Sequence, residues 1–154
     1  MGVTRRPREL LLADTSFVGV WHEVKRQRLM TPWSVGDVRR LEAADLSISV
    51  VSIAELRAAH AKAGWGVRRR SQVERWLRQF ARFSVDEPVA RVWAELRDVT
   101  RRAGRPCSEN DLWIAATGHV RRAPIVTCDR DFLALRQLGV EVVYLPRRRD
   151  AAPV

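Results

Sequence analysis

The sequence predicts an α/β fold in which helices cover both faces of a mostly parallel, five-stranded sheet. Two observations predict this fold. Short apolar runs alternate along the chain with longer stretches of helical periodicity, which is typical of repeated strand–helix–strand units. The short runs are also apolar almost throughout, as expected of strands that are buried on both faces. The candidate strands are residues 10–13, 46–51, 83–85, 125–128 and 140–145.

Four helices are predicted in the first half of the chain. Apolar residues spaced three and four apart mark the buried face of each one. Thr31-Pro32 predicts the start of the second helix, because proline favours the first helical turn, and Gly64 ends the third. The markers are Phe17, Val20, Trp21 and Val24 in the first helix, Val35, Val38 and Leu41 in the second, residues 53–63 in the third, and Val73, Trp76, Leu77 and Phe80 in the fourth.

Three more helices are predicted in the second half. Pro88 lies near the start of the fifth helix, and Gly104-Arg105-Pro106 predicts its end. The sixth covers residues 112–119, and the last covers residues 132–138 with Gly139 as its cap. The buried face of the fifth helix consists of Val89, Val92, Trp93, Leu96 and Val99.

The length of 154 residues favours a single domain. We expect this domain at residues 10–146, after a basic N-terminal extension at 1–9 and before a flexible tail at 147–154. Two cysteines, Cys107 and Cys128, exclude a disulfide framework and a four-ligand zinc site. No apolar run is long enough for a transmembrane helix or a secretory signal, so we expect a cytoplasmic protein without a membrane partner.

The chain is strongly basic, with 28 Lys and Arg against 18 Asp and Glu, which makes a net charge of +10. Such a charge favours polyanionic partners, because their binding releases counterions. A GC-rich genome would explain the choice of arginine over lysine, but it would not explain the excess of cations. The charge therefore favours a nucleic-acid partner. Trp33 and Trp65 flank predicted turns, and we expect them to be free to contact a partner.

Four acidic residues follow strands or begin helices of the predicted sheet. Asp14 and Asp129 come directly after strands, Glu55 lies four residues after Val51, and Asp111 begins a helix. Ligands of open α/β sheets bind beyond the carboxyl ends of the strands, so we expect these acids at one edge. Carboxylates held close together repel each other unless a cation joins them, and carboxylate oxygens favour Mg²⁺ or Mn²⁺.

Helix capping is the alternative explanation of each acid taken alone. Ser52-x-x-Glu55 has the form of a capping box, and Ser108-x-x-Asp111 has the same form. Asp14 and Asp129 are equally suited to be N-caps. Capping does not, however, predict that four acids converge on one edge of the sheet.

Four segments together resemble the motifs of PIN-domain ribonucleases, and most of all the VapC-type toxins of bacterial type II toxin–antitoxin systems. The resemblance covers almost the whole chain, from Leu10 to Leu145. It implies a three-layer α/β/α sandwich with strand order 3-2-1-4-5, in which the strands before Asp14 and Asp129 are neighbours. The segments are Leu-Leu-Ala-Asp14-Thr-Ser, Ser-Ile-Ala-Glu55-Leu, Asn110-Asp111-Leu-Trp-Ile-Ala-Ala and Val-Thr127-Cys-Asp129-Arg-Asp-Phe.

The resemblance also implies the chemistry of the site. Asp14, Glu55, Asp111 and Asp129 match the catalytic, metal-binding acids of the family, and the implied reaction is Mg²⁺-dependent hydrolysis of RNA, with Mn²⁺ as an alternative ion. Thr127 matches a hydroxyl residue that often lies beside the fourth acid.

Arg57 and Arg130 are further candidates to position the substrate, because cations at the rim of the site would offset its negative charge. Arg68-Arg69-Arg70 is another such candidate, unless it is simply a solvated helix start. The implied partners are RNA, including transfer RNA and other structured RNA, a cognate antitoxin protein, and a second copy of the chain in a homodimer.

Two other classes of protein remain as alternatives. A basic RNA-binding or adaptor domain with the same fold would lack catalysis, although the intact acidic quartet argues against it. A phosphatase with Asp14 as nucleophile would need a second aspartate two residues later, where the sequence has Ser16. That phosphatase and a receiver-like signalling domain would both need a lysine near the last acid, and none is present there.

Overall fold

A computed structural model of the chain describes residues 7–27, 33–105 and 107–147. Its centre is a sheet of five parallel strands in the order β3-β2-β1-β4-β5, which confirms the predicted fold class and strand order. The bounds of the strands are Leu10–Ala13 (β1), Asp45–Ser49 (β2), Ala81–Phe83 (β3), Ile125–Thr127 (β4) and Val142–Tyr144 (β5).

Helices connect the strands and cover both faces of the sheet. None of the helices in the described ranges is both long and apolar enough to cross a membrane. The bounds are Thr15–Gln27 (α1), Val35–Ala43 (α2), Val50–Lys62 (α3), Val67–Leu77 (α4), Glu87–Arg102 (α5), Glu109–Arg121 (α6) and a 3₁₀ helix at Arg130–Leu138.

The central strand β1 separates two hydrophobic cores. Successive side chains of a strand point to opposite faces, so Leu11 and Ala13 pack into one core and Leu12 into the other. The first core is formed mainly with α1 to α4 and contains Phe17 and Trp21, while the second is formed mainly with α5, α6 and the 3₁₀ helix. This division explains why β1 is apolar on both faces.

The switch in strand order lies between β1 and β4. Ala13 pairs with Val126, and the N–H of Asp14 donates to the carbonyl of Val126 at 3.0 Å. The residue that follows β1 is thereby held beside the end of β4. A ligand of a sheet with this order is expected at that crevice.

The predicted C-terminal boundary of the second strand, at residue 51, was wrong, because β2 ends at Ser49. Its β-branched Val50 and Val51 begin α3, because the hydroxyl of Ser49 caps the helix by accepting the N–H of Val51 at 3.2 Å. The proposed capping box at Ser52 is therefore also wrong, since Ser52 lies inside α3 and is buried.

The third strand also begins and ends earlier than predicted. The structure has β3 at Ala81–Phe83 instead of 83–85, and Phe83 pairs with Ser49, the last residue of β2. Beyond Ser49 the chain turns into α3, so Val85 has no strand to pair with.

The second helix begins later than predicted. Thr31 and Pro32 lie outside the described residues, and α2 starts at Val35 after a capping box between Ser34 and Asp37. This start places Val35 on the outer side of the first turn, where it is 68% exposed, so the prediction that it faces inward was wrong. Val99 on α5 is likewise 44% exposed, although the remaining residues of that face are buried or half-buried.

Two residues of the predicted N-terminal extension contact the domain. The Glu9 carboxylate forms an ion pair with Arg40 at 2.6 Å. The backbone carbonyl of Glu9 accepts the N–H of Asp45 at 2.8 Å. Arg8 lies 3.4 Å from the Asp45 carboxylate. Asp45 begins β2, so these contacts join the chain before β1 to the start of the neighbouring strand.

Candidate active site

Asp14 lies at the carboxyl end of β1 and is only 3% exposed. Its Oδ2 accepts a hydrogen bond from Thr127 Oγ1 at 2.8 Å and from the Ser16 backbone N–H at 3.2 Å. The Ser16 hydroxyl donates to the same oxygen. Burial raises the pKa of Asp14 above its ordinary value, while these hydrogen bonds act in the opposite direction. The carboxylate is therefore buried and oriented by polar neighbours.

Thr127 connects the ends of β1 and β4. It is fully buried, and its Oγ1 accepts the N–H of Asp129 at 2.9 Å while it donates to Asp14. Asp129 in turn caps the 3₁₀ helix, with its Oδ1 accepting the N–H of Asp131 at 3.0 Å. Thr127 thus orients the Asp14 carboxylate and fixes the backbone at Asp129.

Glu55 lies in α3 and is held by two neighbours. The amide of Asn110 donates to its Oε1 at 2.9 Å, and the hydroxyl of Thr15 donates to its Oε2. Thr15 directly follows Asp14, and Asn110 directly precedes Asp111. The hydrogen bonds therefore link α3 to the first turns of α1 and α6.

Asp111 lies in the first turn of α6, where its N–H donates to the Ser108 hydroxyl at 3.1 Å. Its pKa is raised to about 6, mainly by burial; a hydrogen bond with Ser108 lowers it, and the charges of Asp14, Asp129 and Glu55 raise it further. Asp14, Glu55 and Asp129 are thus close enough to Asp111 for their charges to act on it, which is the grouping of four acids that the sequence predicted.

No cation neutralises this group within the described part of the chain. None of the ion pairs between described residues includes one of the four carboxylates. Uncompensated, partly buried carboxylates are costly, and oxygen donors of this kind suit a hard divalent cation. The chemistry of the donors therefore fits Mg²⁺ or Mn²⁺.

The side chains do not form a finished ligand cage. Among the residues that the structure describes, no three His, Cys, Asp or Glu side chains stand close enough together to hold a metal ion. The hydrogen bonds from Thr15 and Asn110 engage both oxygens of Glu55. Cation binding would thus have to compete with these contacts.

The predicted arginines lie in different surroundings. Arg57 is paired with Glu74 at 2.8 Å on an exposed surface, and Arg130 Nε contacts the Tyr144 hydroxyl at 3.2 Å. Within the Arg68–Arg70 run, the Arg69 guanidinium lies 3.6 Å from the centre of the Trp65 ring. None of these contacts is with the four acids.

Sequence reasoning missed several residues of the site. Thr15, Ser16 and Asn110 hold Glu55 or Asp14, and each is next to a predicted acid or one residue beyond it. Asp131 is a further acid near the group, because its charge and that of Asp111 help raise the pKa of the half-buried Cys107 to about 11, after burial itself. That thiol is therefore neutral near pH 7.

Comparison with known proteins identifies the family of the chain. The PIN domain family matches residues 33–138. Ribonuclease VapC5 of Mycobacterium tuberculosis (strain ATCC 25618 / H37Rv) is 38% identical over 93 residues, which cover 58% of this chain and 68% of the relative. Ribonuclease VapC4 of the same strain is 32% identical over 132 residues, which cover 84% of this chain and 93% of the relative.

A solved structure is similar over most of this chain. It is the crystal structure of a member of the VapBC family of toxin–antitoxin systems, VapBC-5, from Mycobacterium tuberculosis, with 29% identity and a TM-score of 0.61. The alignment covers 89% of this chain and 98% of that one. The resemblance predicted from the four motifs is thereby confirmed. The chain belongs to the PIN-domain family, and its relatives include VapC ribonucleases.

Proposed function

We propose that the protein is a metal-dependent endoribonuclease that acts as the toxin of a toxin–antitoxin pair. The proposed cofactor is Mg²⁺, with Mn²⁺ as a substitute. The reaction is hydrolysis of an RNA phosphodiester bond. The observation that carries the proposal is the convergence of Asp14, Glu55, Asp111 and Asp129 at the switch in strand order, with no ion-pair partner in the described ranges.

The acids have different roles in this proposal. Asp14 and Asp111 are the proposed direct ligands of the cation, because both are at least partly buried and their negative charges repel each other unless a cation joins them. Glu55 and Asp129 complete the site or orient the attacking water. A bound divalent cation would lower the pKa of that water and stabilise negative charge on the phosphate. The carboxylates alone would repel a phosphate, so the cation is needed for substrate binding as well.

The polar neighbours orient these acids. Ser16 and Thr127 hold Asp14 by two hydroxyl groups, and Asn110 holds Glu55. A donor that neutralises no charge fixes a carboxylate without removing its affinity for a cation. These three residues are therefore positioning residues in the proposed reaction.

RNA is supported as substrate by the names of the relatives, which are ribonucleases, and by the net charge of +10. Positive charge outside the acidic crevice would attract the backbone, and single-stranded RNA exposes its bases to recognition. An antitoxin partner is supported by the toxin–antitoxin structure described above. The proposal also includes a homodimer acting in the cytoplasm.

The test compares cation binding and cleavage in one set of variants. Mg²⁺ or Mn²⁺ should raise the melting temperature of the purified, antitoxin-free protein, and EDTA should reverse the shift. Asp14→Asn and Asp111→Asn should lose the shift and reduce cleavage of a transfer RNA pool by about 100-fold or more. Glu95→Gln, an exposed acid on α5, is the matched control and should behave like the wild type.

Two outcomes would contradict the proposal. Cleavage that persists in EDTA or in both Asp variants would indicate contamination or a different active site. Tight RNA binding by folded protein without cleavage in either metal would favour the non-catalytic RNA-binding domain.

A further inference from the structure

A cavity of about 350 Å³ lies beside Asp111, between the end of α5, the start of α6 and the 3₁₀ helix. Asp111 forms part of its wall, so the cavity adjoins the candidate active site. The wall is largely apolar near Ala103, Leu135 and Leu138, and polar at Arg105, Asp131 and Gln137. Apolar walls with a few polar groups are typical of small-molecule sites.

We propose that this cavity binds one unstacked nucleobase of the RNA, next to the phosphate that is cleaved, and that it prefers guanine to adenine. The inference rests on the function proposed above and names the part of the substrate that determines where the chain cuts. The first argument is position. Asp111 belongs both to the acidic group and to the cavity wall. A base in the cavity would therefore be a direct neighbour of a phosphate bound at the acids.

The second argument is the chemistry of the cavity. The face of a nucleobase is flat and weakly polar, and it fits a wall of alanine and leucine side chains. Guanine presents acceptors at O6 and N7 and donors at N1–H and the 2-amino group. Arg105 supplies donors and Asp131 supplies acceptors. One N–H of Arg105 donates to the Gln137 carbonyl oxygen, which leaves its other N–H groups to meet O6 and N7. Adenine offers an amino group where guanine has O6, so it would set a donor against the Arg105 guanidinium.

The third argument is the path for the rest of the strand. A second cavity of about 370 Å³ shares Thr100, Arg105 and Cys107 with the first and extends to Arg97 and Arg101. The two cavities are thus adjacent, and the second lies along the end of α5.

The charge of the second cavity suits RNA phosphates. Arg97 lies 3.3 Å from Glu109, while Arg101 and Arg102 share the single carboxylate of Asp98. The second cavity is lined by Arg97, Arg101 and Arg105 and by one acid, Glu109, whereas the acids Asp111 and Asp131 line the first cavity. The excess of positive charge therefore lies in the second cavity. This excess favours a polyanion over an apolar peptide segment as the occupant.

The test fills the cavity without disturbing a core. Ala134 is exposed on the 3₁₀ helix and lines the cavity, so Ala134→Leu should narrow it while the fold is kept. Ala94→Leu, at an exposed position of α5 outside the cavity, is the matched control. Arg105→Ala removes the donors proposed to read guanine.

The first measurement maps cleavage sites in an RNA pool of random sequence with Mg²⁺. The wild type and Ala94→Leu should cut with guanine enriched at one fixed position beside the cut. Ala134→Leu should raise KM by about tenfold or more, because the loss of one stacked base weakens binding by about that factor. This variant should also lose the enrichment of guanine at the cut. Arg105→Ala should accept adenine as well as guanine. An unchanged KM and cleavage pattern in Ala134→Leu would overturn the proposal.

The second measurement does not depend on cleavage. Millimolar guanosine 5′-monophosphate should shift the backbone NMR signals of Cys107, Gln137 and Leu138 in the wild type, and adenosine 5′-monophosphate should shift them less. Ala134→Leu should abolish these shifts. If no RNA is cut but the shifts occur, the nuclease proposal fails while the base site stands. If the nucleotides leave these signals unchanged, the base site is overturned whether or not RNA is cut.

Discussion

The hydroxyl of Thr127 lies 2.8 Å from Oδ2 of Asp14, and the two residues are 113 positions apart in the chain. Both are buried, and the same hydroxyl accepts the N–H of Asp129. One side chain therefore links the two acids that follow the central strands. It can do so because β1 and β4 are hydrogen-bonded neighbours.

Replacement of this hydroxyl should weaken both the fold and the site. Thr127→Val keeps the shape of the side chain but leaves the Asp129 N–H without its partner and removes a donor from Asp14. We expect the free energy of unfolding in urea to fall by about 1–3 kcal/mol. The thermal shift produced by Mg²⁺ should also become smaller. Thr127→Ser keeps the hydroxyl and should retain most of the shift; equal Mg²⁺ responses in the wild type and Thr127→Val would contradict this role.

The raised pKa of Asp111 makes the metal-free protein sensitive to pH. An aspartate ordinarily titrates near 3.8, whereas Asp111 titrates at about 6 in the folded protein. Between these values the folded state binds more protons than the unfolded chain, so the free energy of unfolding falls as the pH rises through this window. Asp14 changes stability in the same direction, since its pKa is also raised.

This dependence is measured by urea unfolding in EDTA across that window and up to about pH 7. Asp111→Asn should flatten the curve and be more stable than the wild type at neutral pH, because one of the repelling charges is gone. Mg²⁺ should restore stability to the wild type at neutral pH and have little effect on the variant. Glu95→Gln should follow the wild-type curve. A wild-type protein that gains stability as the pH rises through the window would contradict the assignment.

Gly118 in α6 is required by close packing. A Cβ there would lie 2.9 Å from the carbonyl oxygen of Ala123 and 3.0 Å from Ile125 Cγ1. Ile125 begins β4, so a shift would disturb the strand that leads to Thr127. We expect Gly118→Ala to cost about 1–3 kcal/mol in urea unfolding.

Gly19 is the matched control for that substitution. It lies on the exposed side of α1, and nothing is within 4 Å of the Cβ position. Gly19→Ala should stabilise the protein by up to about 1 kcal/mol, because alanine is the better helix former. Similar effects of the two substitutions would show that packing around Gly118 does not matter.

Trp33 should matter for stability, although the sequence led us to expect a residue free to contact a partner. That expectation was wrong, since Trp33 is 6% exposed, stacks with Phe17 and Trp21, and donates from Nε1 to the Pro146 carbonyl at 2.8 Å. Trp33→Ala should cost about 3–5 kcal/mol in urea unfolding.

Trp65 is the comparison, because it is half-buried between His60 and Arg69. Trp65→Ala should cost about 1–2 kcal/mol, because a half-buried ring with a cation on its face has less to lose than a buried one. Equal losses in the two tryptophan variants would contradict the difference in packing that the structure gives them.

The approximate positions of β1, β2, β4 and β5 could be predicted, because a short run rich in apolar residues is a local property of the chain. The third strand shares only Phe83 with its prediction, since Ala81-Arg82-Phe83 is not such a run. The boundaries were less predictable. Val50 and Val51 have the residue type of a strand, but the Ser49 cap makes them helical, and a cap depends on geometry that a run of residue types does not contain. The exposure of Val35 follows in the same way from the Ser34 cap.

The four acids could be predicted for a similar reason, since each directly follows a strand or lies in the first turns of a helix. Their hydrogen-bond partners could not. Asn110 reaches Glu55 across 55 positions, and this contact exists only because α3 and α6 pack together. The same holds for Asp131, which lies beside Cys107 and Asp111 only after the 3₁₀ helix packs against the start of α6.

The sequence by itself determined the alternation of strands and helices, the acidic residues at their ends, and the excess of positive charge. These are local patterns or simple counts. The tertiary structure alone decided that Thr127 orients Asp14, that burial and three other acids raise the pKa of Asp111, and that a cavity adjoins that residue. Each of these properties depends on which strands and helices are neighbours, because electrostatic and hydrogen-bond energies depend on distance in space rather than along the chain.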